Sequence, residues 1–253
     1  MKLATFLAPG STVPQAGEVR GADVVAFEQG TVLDRLASGD RTPAAGPVHR
    51  LESVVLLAPI PRPPAIFCIG RNYAAHIEEL KSERPDKPLV FLKLPRSSAP
   101  PGGPVIRPAV TQALDYETEL VLVMGPADEI AGYAVADDVS ARDLQRSEKQ
   151  WTRAKGFDTF CPLGPVIDTD LDVERATIET SVNGVRKQDG RLADMVHSIP
   201  ALIAYASSVF TLLPGDVILT GTPAGVGPIV DGDTVEITVS GLGTLSNPVR
   251  AAG

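Results

Sequence analysis

Cysteine is scarce in this sequence. The 253 residues contain two cysteines, Cys68 and Cys161, which lie far apart and outside any paired-motif spacing. Cysteine-based zinc motifs and disulfide frameworks need closely spaced or numerous cysteines, so both are excluded. The sequence therefore predicts a protein of the reducing cytoplasm.

Long apolar runs and an excess of positive charge are also missing. The first apolar run ends at Pro9-Gly10, before it reaches the length of a signal-peptide core. The most apolar later segment, residues 199–213, is interrupted by serine and threonine and is too short to span a bilayer. A formal net charge of −8 argues against non-specific nucleic-acid binding, which depends on basic patches. We expect a soluble protein with neither membrane nor nucleic-acid partners, although it could still act on an acidic small molecule.

Proline indicates where the chain divides. An apolar content of 43% and a charged content of 21% are typical of a globular protein, and the length suits one large domain with a small appendage. Residues 58–64 include four prolines, which cannot continue a helix or a central strand. We therefore predict a small N-terminal domain (residues 1–60) and a larger second domain (residues 61–253).

Short apolar stretches predict many strands and few helices. In the N-terminal unit we expect strands at 3–7 and 24–27 and a helical turn at 31–37. Later strands are expected at 65–70, 89–94, 114–125, 130–135, 217–220, 234–239 and 244–249. This pattern indicates an all-β or α+β core rather than a parallel sheet with crossover helices.

Two longer helices are expected. Ser140 and Asp143 have capping-box spacing, which predicts a helix from Ser140 towards Arg153. A second helix is predicted from Ser198, with proline in its first turn. Its buried face is predicted to comprise Leu202, Tyr205, Ala206 and Val209.

Two glutamates stand inside the apolar stretch 114–125. Side chains alternate along a strand, so Glu117 and Glu119 point to the same face, roughly 6.6 Å apart. Like charges this close among apolar residues resist ionisation unless a cation lies between them. A hard divalent metal would satisfy both, whereas the alternative is a half-exposed strand with a solvated polar face.

Asp138 supplies a third acid at the end of the strand that follows. It could instead complement a helix macrodipole, although Asp143 is better placed for that. Three carboxylates with open positions suit Mg²⁺ or Mn²⁺. Because no histidine or cysteine lies near them in sequence, zinc fits less well.

His76 and Glu79 lie three residues apart, on one face of a predicted short helix. Glutamate can hydrogen-bond the imidazole and raise its basicity, so that the pair deprotonates a water for attack on a carbonyl. An exposed surface pair is the alternative. The position of the pair favours the functional interpretation, because a short helix between glycine and proline loops could close over a pocket.

Two further candidates follow later in the chain. Lys155 lies beside a glycine after the predicted helix and could stabilise a developing enolate, or be a surface lysine. The turn containing Gly221 and Thr222 could hold a carboxylate through backbone N–H groups and hydroxyls, or be a plain turn.

Taken together, five segments resemble the fumarylacetoacetate hydrolase family. They occur in the family's order and cover roughly residues 65–250. The segments are IGRNYAAH at 69–76, LDYETEL at 114–120, DVSARDLQ at 138–145, AKGFDT at 154–159 and LPGDVILTGTPAGVG at 213–227.

The resemblance implies a fold, an assembly and roles for particular residues. The family fold is a mixed β-sandwich roll, here α+β and mainly β, usually a homodimer. The resemblance implies divalent-metal ligands at Glu117, Glu119 and Asp138, a water-activating dyad at His76 and Glu79, and enolate stabilisation by Lys155. Further positions are assigned to the substrate site: Arg71, Lys93, Arg142, Gln145, Gly221 and Thr222.

The resemblance also implies a reaction. The dyad favours a divalent-metal-dependent hydrolase that cleaves a C–C bond in a 2,4-diketo acid, of the acylpyruvate or fumarylpyruvate type, through a metal-stabilised enolate. Alternatives are a decarboxylase or isomerase of 2-oxo or 2-hydroxy-diene dicarboxylates in aromatic catabolism, or an oxaloacetate decarboxylase. A binding protein without activity is the non-enzyme alternative.

Arg96 departs from the family pattern. After Lys93 the family commonly continues with proline and small residues, whereas here Leu94-Pro95-Arg96 follows. Our hypothesis is that Arg96, if it reaches the pocket, favours a second carboxylate on the substrate.

Overall fold

The protein is mainly β. The computed structural model describes residues 1–252, with 40% of the chain in strands and 17% in helices. The α+β, mainly β fold expected from the sequence is confirmed. No helix within residues 1–252 is long and apolar enough to cross a membrane.

The strands of residues 1–252 are short. In chain order they are β1 (Lys2–Leu7), β2 (Gln15–Arg20), β3 (Asp23–Ala26), β4 (Val48–Arg50), β5 (Val55–Leu57), β6 (Ile66–Gly70), β7 (Leu89–Lys93), β8 (Ser98–Ala99), β9 (Val105–Arg107), β10 (Leu114–Tyr116), β11 (Thr118–Met124), β12 (Ile130–Asp137), β13 (Ser140–Ala141), β14 (Cys161–Asp168), β15 (Thr177–Val182), β16 (Val185–Arg191), β17 (Val217–Leu219), β18 (Gly227–Ile229), β19 (Thr234–Val239) and β20 (Gly243–Ala251).

The helices are also short. They are α1 (Val32–Ser38), α2 (Ala74–Glu79), α3 (Arg142–Ser147), α4 (Thr152–Lys155) and α5 (Ile199–Ser207). Single 3₁₀ turns lie at Leu51–Ser53, Pro95–Ser97, Pro126–Asp128 and Leu192–Asp194.

The strands form three sheets. The largest has twelve strands with the central order β4-β3-β2-β1-β14-β12-β11-β17-β6-β7, to which β5 adds through β1 and β8 through β14. A five-stranded sheet has the order β16-β15-β19-β20-β9, and β13-β10-β18 form the third. Strand β11 therefore lies inside the largest sheet, between β12 and β17.

Strand β11 is buried on both faces, which explains its continuous apolar sequence. Leu120 and Leu122 point into a core that also holds Ile178 and Ile237 of the five-stranded sheet. Val121 and its alternate neighbours point into a second core on the other face. The two sheets thus enclose the main core as a sandwich, with β11 at its centre.

The N-terminal strands belong to the largest sheet. Strand β1 pairs with β14, and Leu3 packs in the same apolar cluster as Ile66 and Val121. The expected strands at 3–7 and 24–27 and the helical turn at 31–37 are confirmed by β1, β3 and α1. That residues 1–60 form a separate domain stays a prediction.

The long helix predicted from Ser140 to Arg153 is wrong. Ser140 lies in strand β13, and the helical residues are divided between α3 and α4. No capping box forms, because Ser140 Oγ donates to the Asp138 carbonyl at 2.9 Å. The Asp143 carboxylate instead accepts from the Thr111 hydroxyl and from the backbone N–H of Gln112.

The helix predicted from Ser198 is confirmed by α5, which has Pro200 in its first turn. Leu202 and Ala206 are buried as expected, and Tyr205 is half-buried. Val209 is a correction, because the helix ends at Ser207 and the Val209 side chain is exposed.

Candidate active site

Three buried carboxylates meet where the chain passes from one sheet to another. Glu117 separates β10 from β11, so the predicted strand 114–125 is interrupted there. Glu119 lies opposite Ala136 on β12, and the Asp138 N–H donates to the Glu117 carbonyl at 2.8 Å. This register brings carboxylate oxygens of Glu117, Glu119 and Asp138 within 4.8 Å of one another.

Two of the three acids have cationic partners. Lys155 Nζ lies 2.8 Å from Glu117 Oε2 and 2.6 Å from Asp138 Oδ2. Lys93 Nζ donates to Asp138 Oδ1 at 2.7 Å, and Arg142 donates to Glu117 Oε1. Burial opposes the charge of Lys155, yet the Asp138 and Glu117 carboxylates outweigh it and raise the lysine pKa. Lys155 is therefore a protonated ammonium at neutral pH.

Glu119 has no cationic partner within residues 1–252. Its carboxylate accepts the Gly221 N–H at 2.6 Å, which is a neutral donor. Burial, followed by the charges of Asp138 and Glu117, raises the pKa of Glu119 well above its usual value. Burial also opposes ionisation of Glu117, but Lys155 and Arg142 outweigh it and lower the pKa of Glu117. The acid cluster thus lacks positive charge specifically at Glu119.

The three residues fit a divalent metal. They offer only carboxylate oxygens, the ligands that Mg²⁺ and Mn²⁺ prefer. A divalent cation would also provide the positive charge that Glu119 lacks. Residues 1–252 contain no other such group of histidine, cysteine or acidic side chains.

Arg142 is held by protein groups on every side of its guanidinium. Besides Glu117, it donates to Asp115 Oδ2 at 2.8 Å and to Gln145 Oε1 at 2.5 Å. The predicted contacts of Arg142 and Gln145 with substrate stay predictions. In this geometry Arg142 orients the Glu117 carboxylate.

The predicted pair His76 and Glu79 forms on helix α2. His76 Nδ1 lies 3.1 Å from Glu79 Oε2. The imidazole is buried, and the Glu79 carboxylate also accepts the N–H of Gly225, at 3.0 Å from Oε1. The ring nitrogen left free is Nε2, which is available for proton transfer.

The predicted turn at Gly221 and Thr222 serves the protein's own groups. The Gly221 N–H binds Glu119, and Thr222 Oγ1 accepts from Gln188 Nε2 at 2.8 Å. Gly221 has φ +101°, and a Cβ there would lie 2.6 Å from the Asn72 Cβ, so only glycine fits. Capture of a substrate carboxylate by these two residues stays a prediction.

A cavity of about 440 Å³ brings most of the predicted site residues together. Ten of the predicted residues line it: Arg71, His76, Glu79, Glu117, Glu119, Asp138, Arg142, Gln145, Lys155 and Thr222. Lys93 and Gly221 lie behind the wall, where they bind Asp138 and Glu119. The roles assigned to all twelve residues stay predictions.

The hypothesis that Arg96 reaches the cavity is wrong. Its guanidinium pairs with Asp158, at 2.9 Å from Nε to Oδ1, and both side chains are more than half exposed. The 3₁₀ turn Pro95–Ser97 directs Arg96 away from the site, and it does not line the cavity.

Several residues at the cavity were not predicted from the sequence. Trp151 and Phe91 pack edge to face with centroids 5.1 Å apart, and Lys155 Nζ lies 5.2 Å from the Phe91 centroid. Arg146 lines the cavity directly after Gln145. Phe91 could have been found, since it is two residues from Lys93 on one strand and so shares its face. No sequence signal points to Trp151.

Comparison with known proteins places this site in a family. Residues 65–250 match the family described as fumarylacetoacetate (FAA) hydrolase C-terminal. Oxaloacetate tautomerase YisK of Bacillus subtilis is 41% identical over 226 residues, 80% of this chain and 75% of that protein. The chain belongs to the fumarylacetoacetate hydrolase family.

Two solved structures are similar over the whole chain. A 2-hydroxyhepta-2,4-diene-1,7-dioate isomerase from Mycobacterium marinum has TM-score 0.86 and 40% identity, covering 100% of this chain and 99% of that one. A maleylpyruvate hydrolase from Sphingobium sp. SYK-6, in complex with manganese (II) ion and pyruvate, has TM-score 0.82 and 28% identity, covering 100% of both chains. The family thus includes enzymes named tautomerase, isomerase and hydrolase.

The raised pKa of Glu119 leads to a prediction for the variant Glu119→Gln. The folded pKa of Glu119 is raised, so as the pH rises the unfolded state releases this proton before the folded state does. The contribution of Glu119 to the free energy of unfolding is therefore fully present below the unfolded pKa and is lost as the pH rises through the folded pKa. Without metal, the variant should therefore unfold at a higher temperature than wild type at neutral pH, with little difference at strongly acidic pH. The measurement is thermal unfolding with a chelator present.

The same variant should respond little to metal. Saturating Mg²⁺ or Mn²⁺ should stabilise wild type, by about 2.7 kcal/mol at one hundred times the dissociation constant, and Glu119→Gln much less. Glu129→Gln, an exposed residue outside the cavity, is the matched control and should behave as wild type. Equal metal stabilisation of Glu119→Gln and wild type would contradict the assignment.

Proposed function

We propose that this protein is a divalent-metal-dependent enzyme that moves a proton between carbon and oxygen of a 2-oxo dicarboxylate, the tautomerase and isomerase class. The observation that carries the proposal is one cavity lined by three carboxylates, an ammonium and a histidine with a carboxylate partner. Relatives named oxaloacetate tautomerase and hydroxyheptadienedioate isomerase support it.

In this proposal Glu117, Glu119 and Asp138 hold Mg²⁺ or Mn²⁺. When bound, such an ion acts as a Lewis acid that polarises the 2-oxo group and the neighbouring carboxylate of a substrate. The distance of at most 4.8 Å between the three ligand oxygens supports a shared ion.

Lys155 supplies positive charge where negative charge develops. Its ammonium lies between Glu117 and Asp138 and stays protonated at neutral pH, as its raised pKa requires. It can donate a hydrogen bond to the oxygen on carbon 2 as that oxygen gains charge. Phe91 and Trp151 line the same cavity.

His76 is the general base in this scheme. Its Nε2 accepts the proton from carbon 3 of the substrate, and the released electron pair forms the carbon 2–carbon 3 double bond. Glu79 accepts the hydrogen bond from Nδ1, which fixes the tautomer and stabilises the imidazolium. Transfer of that proton from His76 to the oxygen on carbon 2 gives the enol and completes the tautomerisation.

Two arginines support a substrate with a second carboxylate. Arg71 and Arg146 line the cavity, and neither forms an ion pair within residues 1–252. Arg71 has φ 58°, a conformation that ordinary residues seldom adopt and that is often associated with active sites. Asn72 holds it there by donating to the Thr220 carbonyl at 2.8 Å. A guanidinium suits planar recognition of a carboxylate.

Hydrolysis of a C–C bond in a 2,4-diketo acid is the second candidate. The specific observation is the same pair, because His76 with Glu79 could deprotonate a water as well as a carbon. The maleylpyruvate hydrolase neighbour supports this alternative. As expected from the sequence, we also propose a homodimer that acts in the cytoplasm.

An activity screen tests the proposal. With Mg²⁺ or Mn²⁺, wild type should interconvert the keto and enol forms of oxaloacetate faster than it hydrolyses acylpyruvates or decarboxylates oxaloacetate. His76→Ala should lower the tautomerisation rate roughly 10²- to 10⁴-fold, the usual effect of removing a general base. The enol absorbance in the ultraviolet follows the reaction.

His49→Ala is the matched control, since His49 lies on β4 and does not line the cavity. Faster acylpyruvate hydrolysis than tautomerisation would favour the second candidate. Metal-loaded protein that turns over none of these acids would contradict both.

The arginines make a separate prediction. Arg146→Gln and Arg71→Gln should each raise KM for oxaloacetate roughly three- to tenfold, because each removes a charged hydrogen-bond donor. KM for a monocarboxylate 2-oxo acid should change little. Arg153→Gln is the control, since Arg153 pairs with Glu148 outside the cavity. Equal effects on both substrate types would count against a role in dicarboxylate selection.

A further inference from the structure

Gly225 lies between Tyr116, the residue before Glu117, and the His76–Glu79 pair. The Tyr116 hydroxyl donates to the Gly225 carbonyl at 2.6 Å. The Gly225 N–H donates to the Glu79 carboxylate, at 3.0 Å from Oε1 and 3.3 Å from Oε2. Because Glu79 Oε2 is also 3.1 Å from His76 Nδ1, a continuous series of hydrogen bonds joins Tyr116 to the imidazole.

The backbone behind Gly225 leaves it no room to retreat. A Cβ at this position would lie 2.2 Å from the Lys187 carbonyl oxygen, and φ is +99°. Gly225 is therefore packed against strand β16 on one side while it bonds Tyr116 and Glu79 on the others. Only glycine fits this position.

Glu79 depends on this contact for its orientation. Helix α2 has six residues, and the Glu79 side chain is 34% exposed. A carboxylate so exposed, at the end of so short a helix, would otherwise sample several rotamers. The Gly225 N–H is the backbone donor that keeps Oε2 facing the imidazole.

Tyr116 connects this arrangement to the metal ligands. It directly precedes Glu117, is 2% exposed, and its strand β10 pairs with β18 so that Tyr116 lies opposite Gly227. The ring is thus fixed by the same strand that positions Glu117. Hydrogen bonds through Tyr116, Gly225 and Glu79 therefore connect the carboxylate cluster to His76.

We propose that Tyr116 is a positioning residue that, through Gly225 and Glu79, sets where the His76 base stands relative to the carboxylate cluster. This inference rests on the proposed function, in which His76 transfers a proton. Tyr116 does not line the cavity, so it acts through the other residues and not on the substrate.

The test is Tyr116→Phe, which removes one hydroxyl and keeps the buried ring. We expect kcat for oxaloacetate tautomerisation to fall roughly three- to tenfold, the effect of one lost hydrogen bond, with KM and Mn²⁺ affinity within twofold of wild type. Tyr133→Phe is the matched control, because its ring is half-buried on β12 outside the cavity. It should leave kcat unchanged.

A double-mutant cycle separates the two routes by which Tyr116 could act. If it acts through His76, adding Tyr116→Phe to His76→Ala should lower the residual rate no further. If it acts on Glu117, the two effects should multiply and Mn²⁺ affinity should fall. Multiplying effects, or an unchanged kcat in Tyr116→Phe, would overturn the proposal.

Hydrogen exchange gives a readout that does not depend on turnover. In Tyr116→Phe, amides of residues 74–80 and 222–226 should exchange faster, while those of β11 and β12 keep wild-type protection. Unchanged exchange at 74–80 would overturn the linkage even if the enzyme is active. If wild type turns over no 2-oxo acid but exchange changes as expected, the proposed function fails and the structural linkage stands.

Discussion

Mutual repulsion among three buried carboxylates is the constraint on which this structure depends. Glu117, Glu119 and Asp138 can share one site only because positive charge surrounds them. Lys155 and its neighbours neutralise Glu117 and Asp138, whereas Glu119 has a raised pKa and a single neutral donor. Glu119, which lacks a positively charged partner among residues 1–252, is therefore the position where a divalent cation fits. The same electrostatic arrangement that constrains the fold also creates the place for the cation.

The architecture serves this cluster. The double-sided burial of β11 fixes Glu119 between β12 and β17, and the change of sheet at Glu117 brings a second acid to the same face. The turn after β17 then closes over Glu119 through Gly221. Helix α2 carries the His76–Glu79 pair on a short, partly exposed element, so the position of this pair depends on contacts with the rest of the fold, of which Gly225 provides one.

Much of this could be predicted from local pattern. The i, i+2 spacing of Glu117 and Glu119 and the i, i+3 spacing of His76 and Glu79 are short-range, so strand and helix periodicity predicts that each pair shares one face. The metal-ligand and proton-transfer roles do not follow from this spacing and are implied by the family resemblance. Long-range features could not be predicted this way. Arg96 turns towards Asp158 because a 3₁₀ turn intervenes. The helix predicted from Ser140 likewise begins only at Arg142, because Ser140 joins a strand through a pairing that no local signal reveals.

Calorimetric titration of the protein with oxalate, a mimic of the enolate of a 2-oxo acid, tests the central claim most directly. In the presence of Mn²⁺ or Mg²⁺, oxalate should bind at one site per chain, and removal of the metal with a chelator should abolish binding. Metal-dependent binding of oxalate would support a cation held by Glu117, Glu119 and Asp138. Oxalate binding of equal strength without metal, or no binding of metal and oxalate at all, would contradict the account.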